Sequence, residues 1–245
     1  MISPERWQWL EQVVERIGLT DAFLFGGAAF DWTAGDAEAS DDVDLQGEGG
    51  AEAEAAFLAA VERDGGATLL SGPRDYRIFH DEPVRLFEVS VDGVMLDVNL
   101  MDTTVRPGHF SIETVRWSIP SRHLEDPHNA LVEGHRPHLV TAPGSDNPVR
   151  MLSRLIRLAR KYSVTLTSAP LRDTALELRR RAEEWAPADD FHGKDAWASY
   201  DRLIARVTQD ADRNSGLLDE LRALELVDLG RRSSVVEARD TGHHG

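Results

Sequence analysis

The sequence predicts an α+β protein: a mixed, partly antiparallel sheet with a few helices over residues 1–145, then an α-helical region over residues 146–230. Three observations carry this expectation. Up to about Met101, short apolar runs alternate with turn signals. Asp92-Gly93 joins two apolar segments and is a strong two-residue hairpin signal. From about Asp146 the apolar residues recur at helical spacing, interrupted by loops around Pro170, Pro187 and Ser215-Gly216. Residues 231–245 lack periodicity and are expected to form a disordered tail.

Taken in order, Ser3 can cap a first helix with Pro4 in its first turn. Trp7, Leu10, Val14 and Ile17 follow at helical spacing, and Gly18 can end the element. Ala22 to Phe25 reads as a buried strand feeding Gly26-Gly27. Val43 and Leu45 alternate with Asp42 and Asp44, which predicts a second strand. Ala53 to Arg63 is Ala- and Glu-rich and predicts a helix closed by Gly65-Gly66. Three strand-like runs come next: Ala67 to Leu70, Tyr76 to Phe79 and Val84 to Val91. Val94 to Met101 is the strand returning from the Asp92-Gly93 turn. Arg150 to Tyr162, Leu171 to Trp185, Asp195 to Asp212 and Leu217 to Leu229 are expected to be helical, and the division between the two parts is expected near Pro143 to Pro148.

The composition narrows the function classes. There are 43 Asp plus Glu against 27 Lys plus Arg, a formal charge of −16. A chain this acidic is not a general nucleic-acid coat or a binder of anionic membranes, although a local basic face is compatible with it. With Cys 0, disulfides, thiol nucleophiles and Cys-ligated zinc are excluded. The first residues carry no basic-then-apolar leader, and no apolar run approaches the roughly 20 residues that cross a bilayer. The expectation is a soluble, cytoplasmic protein.

The chemistry concentrates at three carboxylates. Asp42 and Asp44 lie two apart on one strand, so both leave the same face while Val43 and Leu45 enter the core. Asp97 interrupts the apolar strand Val94 to Leu100. Three carboxylates on one sheet face repel one another unless a cation neutralises them, and hard oxygen donors suit Mg²⁺ or Mn²⁺. Glycines at 26 and 27, ahead of a helix, let backbone N–H groups approach a triphosphate.

Phe23-Leu24-Phe25-Gly26-Gly27-Ala28-Ala29-Phe30-Asp31-Trp32-Thr33-Ala34-Gly35 resembles the opening motif of bacterial poly(A) polymerases and CCA-adding tRNA nucleotidyltransferases, of the DNA-polymerase-β-type nucleotidyltransferase superfamily. Asp42-Val43-Asp44-Leu45 is similar to their metal-binding pair, and Asp97 to their third carboxylate. Asp126-Pro127-His128-Asn129-Ala130-Leu131 resembles their Asp-Pro-x-Gly-Gly segment. Asn147-Pro148-Val149-Arg150-Met151-Leu152, running into Arg157-Leu158-Ala159-Arg160, resembles the start of their helical neck. The likeness spans about Asp21 to Leu166, with its motifs in family order.

The resemblance implies a nucleotidyltransferase head followed by a helical neck. Asp42, Asp44 and Asp97 would be the catalytic metal ligands, and Gly26, Gly27 and Asp31 would lie at the nucleotide. Asn147 and Arg150 would face the base of ATP or CTP, with Arg154 nearby on the same helix. It implies nucleotide transfer to an RNA 3′ end such as that of tRNA.

Departures from the pattern are specific. Phe30 stands where the family carries Arg, and the Arg-Arg-Asp-Phe-Thr-Ile-Asn-Ala motif is reduced to Gly108-His109-Phe110-Ser111-Ile112-Glu113-Thr114. Asn147 replaces the base-reading Asp. Family members also usually carry further domains that grip tRNA.

Two other outcomes stay open at this point: transfer to a small-molecule or protein hydroxyl, and a non-catalytic nucleotide-binding module. Other features have blander expectations. Arg150, Arg154, Arg157, Arg160 and Lys161, with Arg179 to Arg181, form either a phosphate-binding face or a solvated one. His123, His128, His135 and His138 match no common zinc spacing and are expected at the surface. The scattered tryptophans are expected in the core. A brace for the glycine turn is a second role for Asp31.

Overall fold

The computed structural model describes residues 2–35, 43–77, 83–105, 108–133, 137–138, 140, 147–185 and 191–229. The chain divides into two compact units, Met1–Arg136 and Pro137–Gly245. The expected tail, 231–245, lies outside the described residues.

The first unit opens with α1 (Pro4–Arg16), where the Ser3 hydroxyl accepts the Arg6 N–H at 3.3 Å. Trp7, Leu10, Val13 and Val14 form its buried stripe. Then follow β1 (Phe23–Phe25), α2 (Gly26–Ala34), β2 (Val43–Glu48), α3 (Ala51–Arg63), β3 (Ala67–Arg77), β4 (Pro83–Val91) and β5 (Val94–Met101). A 3-10 turn (Ser111–Thr114), β6 (Arg116–Ser118), β7 (His123–Glu125) and the short α4 (Ala130–Glu133) complete it. The strands form one sheet in the order β3-β4-β5-β2-β1-β6-β7. β2 and β5 run parallel, and the other neighbours are antiparallel.

Alternation decides which sheet face is core. Phe87, Val89, Val91, Leu96, Val98, Val43 and Leu45 are buried, and Phe57 of α3 packs on Phe87 with ring centroids 5.0 Å apart. Burying side chains of this size contributes about 1.5–3 kcal/mol each. The residues between them on β2 and β5, Asp44 and Asp97, therefore belong to the opposite face. The hairpin forms as its turn chemistry requires: Asp92 and Gly93 both take positive φ, 51° and 85°, the geometry of a type I′ turn.

The runs 67–70 and 76–79, expected as separate strands, are joined in β3 as far as Arg77. The ladder absorbs Gly72-Pro73 through register irregularities between Leu69 and Ser71 and between Ser71 and Arg74, as a bulge does without ending a strand. The two three-residue strands β6 and β7 were not anticipated, being too short to display a period.

The second unit contains α5 (Pro148–Tyr162), α6 (Leu171–Glu184), α7 (Phe191–Gln209) and α8 (Ala211–Ala223). Met151, Leu152, Leu155 and Ile156 of α5 are fully buried, and α5 packs against the other three helices. The Tyr200 hydroxyl, deep in this core, donates to the Leu226 carbonyl at 2.7 Å. Helix α8 differs from expectation. It runs through Ser215-Gly216 with a kink at Asn214 and ends at Ala223, while Leu226 and Leu229 beyond it are buried. No helix among the described residues is long and apolar enough to cross a membrane.

Candidate active site

The acidic strands meet in register. Asp44 of β2 is the partner of Asp97 on the adjacent parallel strand β5, so both carboxylates stand side by side on the face away from the core. Both are half-buried. Asp42 lies outside the described residues. On the other side of β2, Asp44 is opposite Phe25 of β1, and the next residue, Gly26, begins α2 with φ +69°. A Cβ on Gly26 would stand 3.0 Å from Asp44 Oδ2. Glycine is therefore required twice at this position, by the backbone angle and by the neighbouring carboxylate. The first N–H groups of α2, from Gly26 and Gly27 onward, have no partner within the helix and carry its positive end. The positive start of a helix thus abuts an acidic pair.

Glu88 was missed by the sequence analysis. It is the register partner of Asp97 on β4, which extends the acidic row to a third strand. Its carboxylate accepts from the Ser71 hydroxyl at 2.7 Å and pairs with Arg74 at 3.4 Å. The signal was available: a two-residue turn pairs Val91 with Val94, and counting back three and forward three pairs residue 88 with residue 97. Among the described residues, no three His, Asp or Glu side chains converge closely enough to hold a metal ion.

A buried polar network braces the strand ends next to this pair. Gln46, two residues beyond Asp44 on the same face, donates to the carbonyls of Asp102 and Val105 at 3.2 and 3.0 Å. Arg116, 4% exposed, donates to Gln46 Oε1 at 3.2 Å, the Thr103 carbonyl at 2.9 Å and Glu125 Oε2 at 2.9 Å. Its guanidinium also lies 4.2 Å from the centroid of the Phe23 ring. A buried charge persists only when paired and hydrogen-bonded, and here those bonds tie β2, β6, β7 and the 102–105 turn together. An isolated Arg at position 116 gives no such signal in the sequence.

Solved structures share this arrangement of elements. A tRNA-processing enzyme in an apo form superposes over 94% of this chain and 59% of its own, with a TM-score of 0.57 and 18% identity. A CCA-adding enzyme in complex with CTP superposes over 93% of this chain and 52% of its own, with a TM-score of 0.53 and 11% identity. The fold is that of the CCA-adding enzymes. A CCA-adding enzyme in complex with ATP agrees, with a TM-score of 0.56 and 12% identity over the same shares. The chain spans little more than half the length of these enzymes. No protein-family model matches it, and no curated protein sequence does either.

Within the CCA-adding fold, the motifs that departed from the family pattern have structural occupations. Phe30, in place of the family's Arg, is core. Asp31 is 1% exposed inside α2. In the 108–114 segment, the Glu113 carboxylate accepts the N–H groups of His109 and Phe110 at 2.8 and 3.2 Å. Gly108 takes φ +138°, and a Cβ there would meet the Glu113 backbone at 2.9 Å. Asp126 accepts the Ala130 and Leu131 N–H groups at 2.8 and 3.0 Å and so starts α4.

In the helical unit, Asn147 is the N-cap of α5, its Oδ1 accepting from Val149 and Arg150 at 3.0 and 3.2 Å. Its Nδ2 is buried and makes no hydrogen bond. Arg150 and Arg154 follow on α5, half-buried. The two arginine groups singled out in the sequence differ. On α6, Arg180 bonds to Glu177 and Glu184, and Arg179 to Glu183 and Glu225; this is an ion-paired surface. On α5, Arg157, Arg160 and Lys161 line an open groove, where Arg160 pairs with Asp210 at 2.9 Å. Of the histidines, His123 is exposed and His128 and His138 are half-buried; His135 lies outside the described residues.

The clearest electrostatic perturbation lies away from the acidic pair. Arg16, at the end of α1, reaches both Asp64 and Asp92. Hydrogen bonds from Arg16, then from the Gly66 N–H, hold the Asp64 carboxyl down at about 2. The same guanidinium lowers Asp92. This triad fastens the hairpin turn to the helices.

Proposed function

We propose that this protein is a divalent-metal-dependent nucleotidyltransferase that transfers a nucleoside monophosphate from ATP or CTP to the 3′ hydroxyl of an RNA. The reading is carried by one observation: Asp44 and Asp97 are in register on neighbouring strands, with the glycine-led start of α2 against Asp44. Two carboxylates so arranged offer the hard oxygen donors that suit Mg²⁺ or Mn²⁺, and Asp42 is assigned to the same set. When bound, such ions neutralise the triphosphate and the departing pyrophosphate.

The chain's own residues supply the rest. Gly26 and Gly27 offer backbone N–H groups to the triphosphate at the positive end of α2, with Asp31 assigned to support that turn. The acceptor oxygen bonds to the α-phosphorus as the bond from that phosphorus to the bridging oxygen of the β-phosphate breaks. Asp97 takes the acceptor's proton. Base preference is assigned to the Asn147 amide and Arg150, and Arg154 to the same nucleotide-binding set. Asn147 retains a donor where the family's Asp has acceptors only. Chemistry of this kind depends on positioning and charge neutralisation more than on covalent catalysis.

The decisive experiment incubates the protein with each labelled NTP, Mg²⁺ and total RNA, with a nuclease-treated lysate in parallel. Label in RNA supports the reading. Label that appears only in a small molecule or a protein moves the acceptor to that class, which the charge of −16 favours. Absence of any transfer refutes the reading.

A further inference from the structure

A single rung of the sheet crosses all the strands around the acidic pair. Ser71 of β3 is the register partner of Glu88 on β4, and Glu88 of Asp97 on β5. Asp97 in turn partners Asp44 on β2, and Asp44 partners Phe25 on β1. Residues opposite one another share a sheet face, and Phe87 and Val89 on either side of Glu88 are buried in the core. Glu88, Asp97 and Asp44 therefore stand in line on the other face, with Ser71 at one end and the start of α2, next to Phe25, at the other.

We propose that the β3–β4 end of this line is the acceptor side of the site, where Arg74, held by Glu88 and Ser71, binds the last phosphodiester of the RNA acceptor. The assignment rests on the transferase reading above.

The direction follows from the reaction. In-line displacement puts the attacking and departing oxygens on opposite sides of the phosphorus. The departing pyrophosphate is assigned to the glycine-led start of α2, on the β1 side of Asp44. The acceptor hydroxyl then approaches from the other side, over Asp97, and the rest of the acceptor extends across β4 toward β3. Neighbouring strands lie about 5 Å apart, so Glu88 stands one spacing beyond Asp97 and Ser71 two.

The side chains at that end suit a phosphodiester. Arg74 Nη1 lies 3.4 Å from Glu88 Oε1, Arg74 Nη2 donates to the Ser71 hydroxyl at 2.9 Å, and that hydroxyl donates to Glu88 Oε2 at 2.7 Å. These contacts hold the guanidinium beside the line of carboxylates. Its side chain is still 57% exposed, which leaves some of its five N–H donors open to a ligand. An RNA end arriving over Asp97 meets two carboxylates in succession, and a fixed cation beside them offsets that repulsion. A planar guanidinium matches the two free oxygens of a phosphodiester.

The test is steady-state transfer by the full chain to a short single-stranded RNA, varying RNA and NTP separately. Arg74→Gln is compared with the wild type and with Arg63→Gln, a charge-matched change at an exposed arginine of α3. Helix α3 packs on the opposite face through Phe57, and folding of each variant is checked by its melting curve. Arg74→Gln should raise KM for RNA about tenfold or more and leave KM for the NTP unchanged, while Arg63→Gln moves neither. A neutral methylphosphonate replacing the last phosphodiester should cost the wild type the same factor and cost Arg74→Gln nothing further.

An equal rise in KM for the NTP, which marks a triphosphate contact, overturns the inference. So does an additive loss with the methylphosphonate, or equal behaviour of Arg74→Gln and Arg63→Gln. Binding of the same RNA with a 3′-deoxy end, without NTP, separates this inference from the transferase reading. Binding that Arg74→Gln and the methylphosphonate weaken non-additively, in a wild type that transfers nothing, leaves the phosphodiester site standing and removes the transferase reading. Transfer with an RNA KM indifferent to Arg74 does the reverse, and neither transfer nor Arg74-dependent binding overturns both.

Discussion

Replacing Gly26 by alanine tests the link between the helix start and the acidic pair. Two costs follow from the geometry at Gly26. The backbone sits at φ +69°, where an L-residue costs about 1–2 kcal/mol, a fall in melting temperature of roughly 2–8 °C. The new methyl would also lie 3.0 Å from Asp44 Oδ2, where ordinary contacts begin near 3.4 Å, so the carboxylate must retreat by about 0.4 Å. Metal–oxygen geometry tolerates about 0.2 Å.

Gly93→Ala separates the two effects. Its φ is +85° and nothing lies within 4 Å of the added carbon, so it carries the strain without touching a carboxylate. The assay is pyrophosphate release from ATP or CTP with Mg²⁺ and RNA, alongside melting curves. Both variants should lose comparable stability. Only Gly26→Ala should lose transfer, by more than about tenfold, or roughly 1.4 kcal/mol of barrier. Equal activity in the two variants would refute the argument that Gly26 protects the position of Asp44.

Two further outcomes concern the framework. Because the folded Asp64 carboxyl is held at about 2, below the ordinary value of about 3.9, its contribution to stability is present above pH ~4 and is lost as pH falls through about 2. Urea midpoints between pH 2 and 6 should therefore fall less steeply in Asp64→Asn than in the wild type; parallel profiles would refute this. Arg116→Met should cost about 3–5 kcal/mol, because Glu125 and Gln46 lose the partner that satisfies them inside the sheet. A denaturation midpoint within 1 kcal/mol of wild type would show that the network relaxes instead.

Much of the fold was legible because its signals are local. Ser3-Pro4 starts α1, Asp92-Gly93 makes the hairpin, and alternation on Val43 to Leu45 sets Asp44 opposite the core. The resemblance was carried by motifs in the correct order, and the solved structures share the same fold. What was not legible depends on long-range pairing. The register of β2 with β5 brings Asp44 to Asp97 across more than fifty residues, and no period in the sequence announces it. Arg116 acquires meaning only from Gln46 and Glu125. Glu88 is within reach of hairpin arithmetic, but it sits where strand alternation tolerates a charge, so its residue type alone does not set it apart. The arginines of α5 and α6 look alike in the sequence. Only the packing of α5 with α7 shows which of them line a cationic groove.

The most direct test of the central claim is Mg²⁺-dependent pyrophosphate release by the wild type, Asp44→Asn and Asp97→Asn, each with folding checked by its melting curve. Asparagine keeps the size of the side chain and removes its charge, so both variants should fold as the wild type does and fall to background release. Release in either variant within about tenfold of wild type would contradict the assignment of these two carboxylates as one site.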